Sequence, residues 1–233
     1  MRRALIITIA AIAAATLAAC SSSPNAPADN PGGPSSTTQP AAAATPSAPP
    51  AATTQTKSGQ GTDVVTLDTP VEVGILKFDC SKCTGTVEVK TDAEYDPNIV
   101  FYGHKAPYVG TSWLGMRGDT VTRIQVNTKG PWTVTVGGLD LIRVVDGKSP
   151  ITGKGDEVLR LTTPAGAAAI TNKGGQYSNF TVWVMTDGTS SPELAVNEVG
   201  GSYEGTVMFP VAGPDKIQLV QVKSDGNWTI TPK

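Results

Sequence analysis

The sequence predicts an all-β protein in which two tandem, duplicated β-sandwich-like modules follow a disordered linker. Composition is the first reason: 25 Gly and 18 Pro accompany abundant Thr and Val, with little helical periodicity. The second reason is the residue pattern after about Asp63, where short runs of alternating apolar and polar residues are separated by Gly, Pro, Asp and Asn. This pattern is typical of successive strands and turns. The third is internal repetition, because several short motifs recur in one order.

Residues 1–19 have the organisation of a signal peptide. Arg2 and Arg3 precede an apolar run over residues 4–16, and small residues follow it. The run is shorter than the ~20 residues that a transmembrane helix needs. A positive start, a short apolar stretch and small residues at the end are typical of a cleaved export signal.

The last four residues of this segment, Leu17-Ala18-Ala19-Cys20, resemble the lipobox of bacterial prolipoproteins. The resemblance implies that the Cys20 thiol receives a diacylglyceryl group and that cleavage leaves Cys20 as the N-terminus. Acyl chains such as palmitate would then hold the protein on the outer face of the cytoplasmic membrane, in the cell envelope. An ordinary signal peptide, or an uncleaved anchor with a chance cysteine, is the alternative.

Charge restricts the partners of the exported protein. Loss of residues 1–19 leaves 16 Lys and Arg against 20 Asp and Glu, a formal net charge of −4. No basic run remains, which argues against nucleic acid, and against anionic headgroups as the principal partner.

Residues 20–62 are predicted to be the lipidated cysteine and a disordered tether. Residues 21–62 are nearly all Ser, Pro, Ala, Thr, Gly, Asn and Gln, which cannot bury enough apolar surface to offset chain entropy. A tether that carries the folded part into the cell wall and a passive spacer both remain open. The composition also resembles that of exported lipoproteins of high-GC Gram-positive bacteria, where such segments can be O-glycosylated.

Repeated motifs define the two modules. Tyr108-Val-Gly-Thr recurs as Tyr203-Glu-Gly-Thr, and a Trp follows 24 positions later in the first copy and 25 in the second, at Trp132 and Trp228. Upstream, residues 98–102 are aligned with residues 179–183. The predicted division is module 1 at 63–138, a connector at 139–155 and module 2 at 156–233.

Six or seven strands are predicted in each module, as expected for a sandwich or small barrel. The predicted strands of the first module are 71–78, 85–90, 98–102, 108–116, 120–127 and 131–136. Those of the second are 157–162, 166–171, 178–185, 194–199, 203–209, 215–222 and 227–231.

Alternation separates core aromatics from candidate binding aromatics. Trp132 and Trp228 lie on the apolar faces of their strands, so both are predicted core residues. Tyr102 and Trp183 lie opposite the Ile99/Phe101 and Phe180/Val182 faces, which are the better core candidates. Tyr102 and Trp183 are therefore a candidate binding surface for a sugar ring or a protein, and packing between the modules is the alternative. Trp113 lies on a strand followed by Gly115, and the same two interpretations remain open for it.

Cys80-Ser-Lys-Cys83 is the most specific local motif of the folded region. Redox exchange needs a helix N-terminus, and structural zinc needs four ligands; neither is expected here. Outside the cytoplasm the preferred interpretation is a Cys80–Cys83 disulfide that stiffens a turn. The corresponding turn of the second module is placed near residues 164–166, which lack cysteine.

No catalytic residue, cofactor or metal site is predicted. The chain has a single histidine, His104, and the sequences Gly110-Thr-Ser112 and Gly200-Gly-Ser202 lack the final Gly of a nucleophile elbow. Residues 92–98 alternate oxygen-bearing side chains like a calcium loop, but Pro97 and Gly103 replace the Gly and Glu that such a loop requires.

These features favour a lipid-anchored, non-catalytic surface protein whose duplicated β module binds a protein or an envelope glycan. A prophage-type host-defence lipoprotein, which excludes superinfecting phages, is one alternative. An envelope enzyme is the other, and His104 is the histidine that such an enzyme would use.

Overall fold

The computed structural model describes residues 53–94, 98–175, 178–186, 191–210, 213 and 216–233. The predicted signal peptide, the lipidation site Cys20 and the predicted tether up to residue 52 lie outside the described residues. Among the described residues, no helix has the length and apolar character required to cross a membrane.

The first module contains eight strands among the described residues. They are β1 (Gln55–Gln60), β2 (Asp63–Val71), β3 (Gly74–Cys80), β4 (Thr84–Thr91), β5 (Ile99–Lys105), β6 (Tyr108–Leu114), β7 (Val121–Lys129) and β8 (Pro131–Gly137). They form two antiparallel four-stranded sheets, in the orders β1-β8-β3-β6 and β2-β7-β4-β5. The inner faces of the two sheets meet in one apolar core.

The second module follows a short 3-10 turn at Leu139–Leu141. Its described strands are β9 (Arg143–Val145), β10 (Ile151–Lys154), β11 (Glu157–Leu161), β12 (Ala167–Lys173), β13 (Asn179–Thr186), β14 (Glu193–Val199), β15 (Ser202–Met208), β16 (Gln218–Lys223) and β17 (Asn227–Pro232). They form sheets in the orders β10-β17-β12-β15 and β14-β13-β16-β11-β9. All pairings are antiparallel except that between β9 and β11.

The two modules have the same topology, so the predicted duplicated β-sandwich is the observed fold. Sheet β1-β8-β3-β6 matches β10-β17-β12-β15, and β2-β7-β4-β5 matches β11-β16-β13-β14 strand for strand. The register repeats as well: Gly59 pairs with Trp132, and Gly153 pairs with Trp228. Strand β9 is an addition to the second module.

Trp132 and Trp228 are core residues, as predicted. Each is 2% exposed, and each indole N–H donates to a backbone carbonyl, Gly61 O at 2.8 Å or Gly155 O at 2.9 Å. A buried indole keeps its donor satisfied in this way while its ring fills the core.

The predicted end of the tether at residue 62 is wrong, because β1 already belongs to the first sandwich. This strand is held by backbone pairing and hydroxyl contacts: Thr56 and Ser58 lie 3.2 and 3.1 Å from the hydroxyls of Thr135 and Thr133. Gln55 is buried and bonds to the backbone near Thr69. A polar strand of this kind carries no hydrophobic periodicity.

The predicted connector at 139–155 is also wrong in extent. Strands β9 and β10 lie within it and pair with β11 and β17 of the second module. Both are shorter than five residues, which leaves alternation too few positions to be recognised.

The alignment of residues 98–102 with 179–183 is wrong. The first segment lies in β5 and the second in β13, but β13 corresponds to β4 by sheet order. Lys90 of β4 pairs with Gln125 and Trp183 of β13 pairs with Gln221, and both glutamines lie seven residues before the core tryptophan of their module. Trp183 therefore corresponds to Lys90 and not to Tyr102.

The predicted Ile99/Phe101 core face is half wrong. Ile99 is 44% exposed, whereas Val100 and Phe101 are both buried. Register shifts in the β4–β5 pairing place Lys90 opposite Ile99 and Val89 opposite Phe101. An extra residue in one strand breaks the alternation on which the prediction depended.

Candidate functional site

The two modules pack through a separate apolar cluster. Its buried members are Ile75, Trp113, Ile142, Val158 and Leu219. Trp183 and Met185 of β13 pack against it while remaining partly accessible. The outer face of the β13-β16-β11 sheet is therefore covered by the first module, chiefly by β3 and β6.

The equivalent sheet face of the first module is polar. The positions of Thr181, Trp183 and Leu219 are occupied there by Glu88, Lys90 and Arg123. Three charged side chains keep that face solvated. The interface is thus a specialisation of the second copy.

Buried hydrogen bonds fix the packing of the modules. The Gln221 side-chain oxygen accepts from the Trp113 backbone N–H at 2.9 Å and from the Ser112 hydroxyl at 3.0 Å. The Val158 N–H donates to the Thr111 hydroxyl at 2.8 Å. Because unmade buried hydrogen bonds are costly, these contacts hold one relative orientation of the two sandwiches.

His104 of β5 and Asp156 of the second module form a further link. His104 Nε2 lies 3.1 Å from Asp156 Oδ2, while Asp156 Oδ1 accepts the Ser224 N–H at 2.8 Å. Asp156 is buried, so both carboxylate oxygens are occupied inside the protein. Among the described residues, no hydroxyl or thiol is hydrogen-bonded to His104, and the pair is an orienting contact between modules.

Tyr108 completes this cluster. Its ring stacks on His104 with centroids 4.2 Å apart and an interplanar angle of 15°. Burial, together with the neighbouring Asp156 carboxylate, raises the pKa of Tyr108 well above its usual range. The phenol is therefore neutral, and it stabilises the orientation of the imidazole by stacking.

Three adjoining hollows run along the module boundary. The first, about 280 Å³, includes Trp113, Arg117, Trp183 and Lys223 in its lining. The second, about 590 Å³, shares Lys223 and adds Tyr102 and His104. Shared lining residues make the hollows continuous, and we call the whole depression the inter-module groove.

The third hollow of the inter-module groove measures about 600 Å³. It shares His104 and Asp225 with the second hollow and adds Lys105 and Lys154, one from each module. The groove is therefore built by both sandwiches along its length.

The three candidate aromatic residues all line this groove, but they differ in how far their rings are exposed. Tyr102 is 69% exposed, and its ring is available to a ligand. Trp183 is half-buried, with the Arg117 guanidinium 6.0 Å from its ring centroid. Trp113 is only 3% exposed, so the interpretation of packing between modules applies to it, and its role is to support the floor.

The sequence did not reveal the polar half of the site. Asp156 and Lys223 lie far along the chain from His104 and Val100, to which they bond. Only the assembled modules bring these residues together. The one available signal was the replacement of Lys90 in β4 by Trp183 in β13, which the wrong alignment obscured.

The Sγ atoms of Cys80 and Cys83 lie at disulfide distance. The pair closes the turn between β3 and β4, and both residues are buried in the first core. The corresponding turn of the second module joins β12 and β13, after Lys173, and not residues 164–166 as expected. Neither cysteine lines the groove.

Part of the acidic loop at 92–98 lies outside the described residues, namely 95–97. Asp92 itself accepts hydrogen bonds from the Thr122 and Arg123 backbone N–H groups at 2.9 and 3.0 Å. Partial burial opposes its ionisation, but these bonds and that from the Thr122 hydroxyl outweigh it and lower the pKa of Asp92 to about 2. Asp92 thus ties its loop to β7. Among the described residues, no group of three or more His, Cys, Asp and Glu side chains is arranged to hold a metal ion.

No family model matches the chain, and no curated protein matches it. Among solved structures, the chain is similar to a conserved protein of unknown function from Pseudomonas aeruginosa PAO1. The sequence identity is 8%, the match covers 76% of each chain, and the TM-score is 0.24. A likeness this weak carries no argument about the fold or the function.

Proposed function

We propose that the chain is a lipid-anchored, extracytoplasmic, non-catalytic protein of the bacterial envelope that binds a protein or an envelope glycan in the inter-module groove. The observation that carries this proposal is the groove itself. Both modules line it, and Tyr102 presents a largely exposed ring to it. Exposed aromatic rings beside polar groups suit recognition of sugars and of protein side chains.

The packing of the modules supports a preformed site. Gln221, Asp156 and Lys223 each hydrogen-bond to the first module. A groove whose walls are held in place loses less conformational entropy when a ligand binds. Binding is thus favoured by the same contacts that hold the modules together.

Anchoring is the part of the proposal that rests on the sequence alone. The lipobox-like Leu17-Ala18-Ala19-Cys20 assigns the acyl chains to Cys20, and the polar segment that follows would set the groove at a distance from the lipid. Metabolic labelling with palmitate tests this step: the label should enter the full chain and be lost in Cys20→Ser. Undiminished labelling of the Cys20→Ser variant would overturn it.

Binding is tested with the full chain purified in detergent and immobilised. Solubilised envelope from the expressing cells is passed over it, and retained proteins and sugars are quantified. Tyr102→Ala should reduce the retained ligand about tenfold. Met208→Ala is the matched control, since Met208 is 72% exposed on β15 and does not line the described hollows. Equal retention by the wild type and Tyr102→Ala would count against the groove.

A further inference from the structure

The charged side chains of the inter-module groove differ in whether other groups of the protein already bind them. Its buried acidic group, Asp156, is engaged by His104 and the Ser224 N–H. The Asp225 carboxylate accepts the Gly175 N–H at 3.0 and 3.2 Å. The negative charges are thus occupied by donors of the protein itself.

Three cations of the groove have no acidic partner among the described residues. Arg117, Lys105 and Lys154 are exposed, and the ion pairs among the described residues involve none of them. Residues 53–233 carry 16 Lys and Arg against 19 Asp and Glu, a net charge of −3. Unpaired cations in the groove therefore contrast with an acidic protein.

The cations also stand at opposite ends of the groove. Arg117 lines the first hollow, while Lys105 and Lys154 line the third. Tyr102 and Lys223 lie between them, in the second hollow. A small molecule with one charge would meet one end, whereas a polymer with repeated negative charges would meet both.

We infer, resting on the proposed function, that the ligand of the inter-module groove is an acidic polysaccharide. Its sugar rings would stack on the exposed face of Tyr102, and its carboxylate or phosphate groups would meet Arg117, Lys105 and Lys154. Stacking selects a saccharide over polyanions without rings, and the unpaired cations select an acidic saccharide over a neutral one.

The test uses the full chain immobilised from detergent. Water-soluble polysaccharide from the envelope of the expressing cells is separated by anion exchange into acidic and neutral fractions, and bound sugar is quantified for each. We expect the acidic fraction to be retained at least about tenfold more strongly than the neutral one, and less strongly as NaCl is raised. Inorganic polyphosphate of similar length serves as a polyanion without sugar rings.

The variant Arg117→Gln/Lys105→Gln/Lys154→Gln should lower retention of the acidic fraction by about tenfold or more. The matched control, Lys82→Gln/Lys148→Gln/Lys173→Gln, removes the same charge at exposed positions that do not line the three hollows. Its retention should stay within about twofold of the wild type. Near-ultraviolet circular dichroism checks that both variants keep the native packing.

Several results would overturn the inference, and they separate it from the proposed function. Preferential retention of the neutral fraction, or capture of a protein in place of sugar, would contradict the acidic polysaccharide and leave the groove as a binding site. Equal retention of polyphosphate, or equal loss in both triple variants, would show unselective charge attraction. No retention of any envelope component would overturn the proposed function as well.

Discussion

Gln125 and Gln221 occupy the same position in the two modules, but Gln125 is exposed on the polar face of β7 whereas Gln221 is buried between the sandwiches. Each lies opposite a valine of the neighbouring strand, Val64 for Gln125 and Val158 for Gln221. Val64 is exposed and Val158 is buried. One duplicated surface has therefore stayed a solvated face in the first copy and become the interface in the second.

The first prediction follows from this pair. Gln221→Leu leaves the Trp113 N–H without its buried acceptor, and we expect it to lower the free energy of unfolding by about 2 kcal/mol. Gln125→Leu, the matched control, should change it by less than about 0.5 kcal/mol. Urea denaturation followed by tryptophan fluorescence measures both. Similar values for the two variants would contradict a stabilising role of the buried interface.

The second prediction concerns the glycines beneath the two core tryptophans. A β-carbon at Gly153 would stand 2.0 Å from the Trp228 ring, and one at Gly59 would stand 2.3 Å from Trp132. Since well-packed rings cannot yield by that much, Gly153→Ala and Gly59→Ala should each cost about 2 kcal/mol or more. Gly166→Ala is the control, because a β-carbon there meets open space. The measurement is the midpoint of unfolding in urea. A midpoint unchanged by Gly153→Ala would refute the close approach of Gly153 to the Trp228 ring.

The third prediction tests the link between His104 and Asp156. A double-mutant cycle with His104→Ala and Asp156→Ala should give a coupling energy of about 1 kcal/mol, as expected for contacting polar groups. Asp156→Ala should be the more destabilising single change, because it also removes the acceptor of the Ser224 N–H. A second cycle, of His104→Ala with Asp140→Ala, is the control and should be additive. Asp140 is remote from His104 in the sequence, and its side chain makes no hydrogen bond among the described residues. Additive changes in the His104–Asp156 cycle would show that the two side chains do not stabilise each other.

The sequence could predict the sandwiches because their strands alternate. Trp132 and Trp228 were identified as core residues from period-two patterns, and the repeat around Tyr108 and Tyr203 identified the duplication. Strand β1 could not be predicted because its pairing depends on the backbone and on hydroxyl contacts, which leave no apolar pattern in the sequence. Alternation also could not predict the order of the strands within each sheet, since every strand of a sandwich alternates whichever strands lie beside it.

The groove could be predicted only in part. Tyr102 and Trp183 were candidates because they face away from the predicted core, and both line the groove. The contact of His104 with Asp156 joins residues 52 positions apart in different modules. It depends on how two complete sandwiches pack, and single-strand patterns contain no information about that packing.

The last prediction concerns acid stability and Asp92. Its pKa is lowered from 3.8 to about 2 in the folded protein, so ionised Asp92 stabilises the native state above pH 3.8, and this contribution is lost as the pH falls from about 4 towards 2. Because the side chain is partly solvated and its bonds are screened, the contribution should be about 1 kcal/mol. Asp92→Asn should therefore unfold more easily than the wild type at pH 7, and the difference should shrink steadily below pH 4. Asp140→Asn is the control and should track the wild type throughout. A difference for Asp92→Asn that persists unchanged at pH 2 would show that the ionised carboxylate is not what ties the loop after β4 to β7.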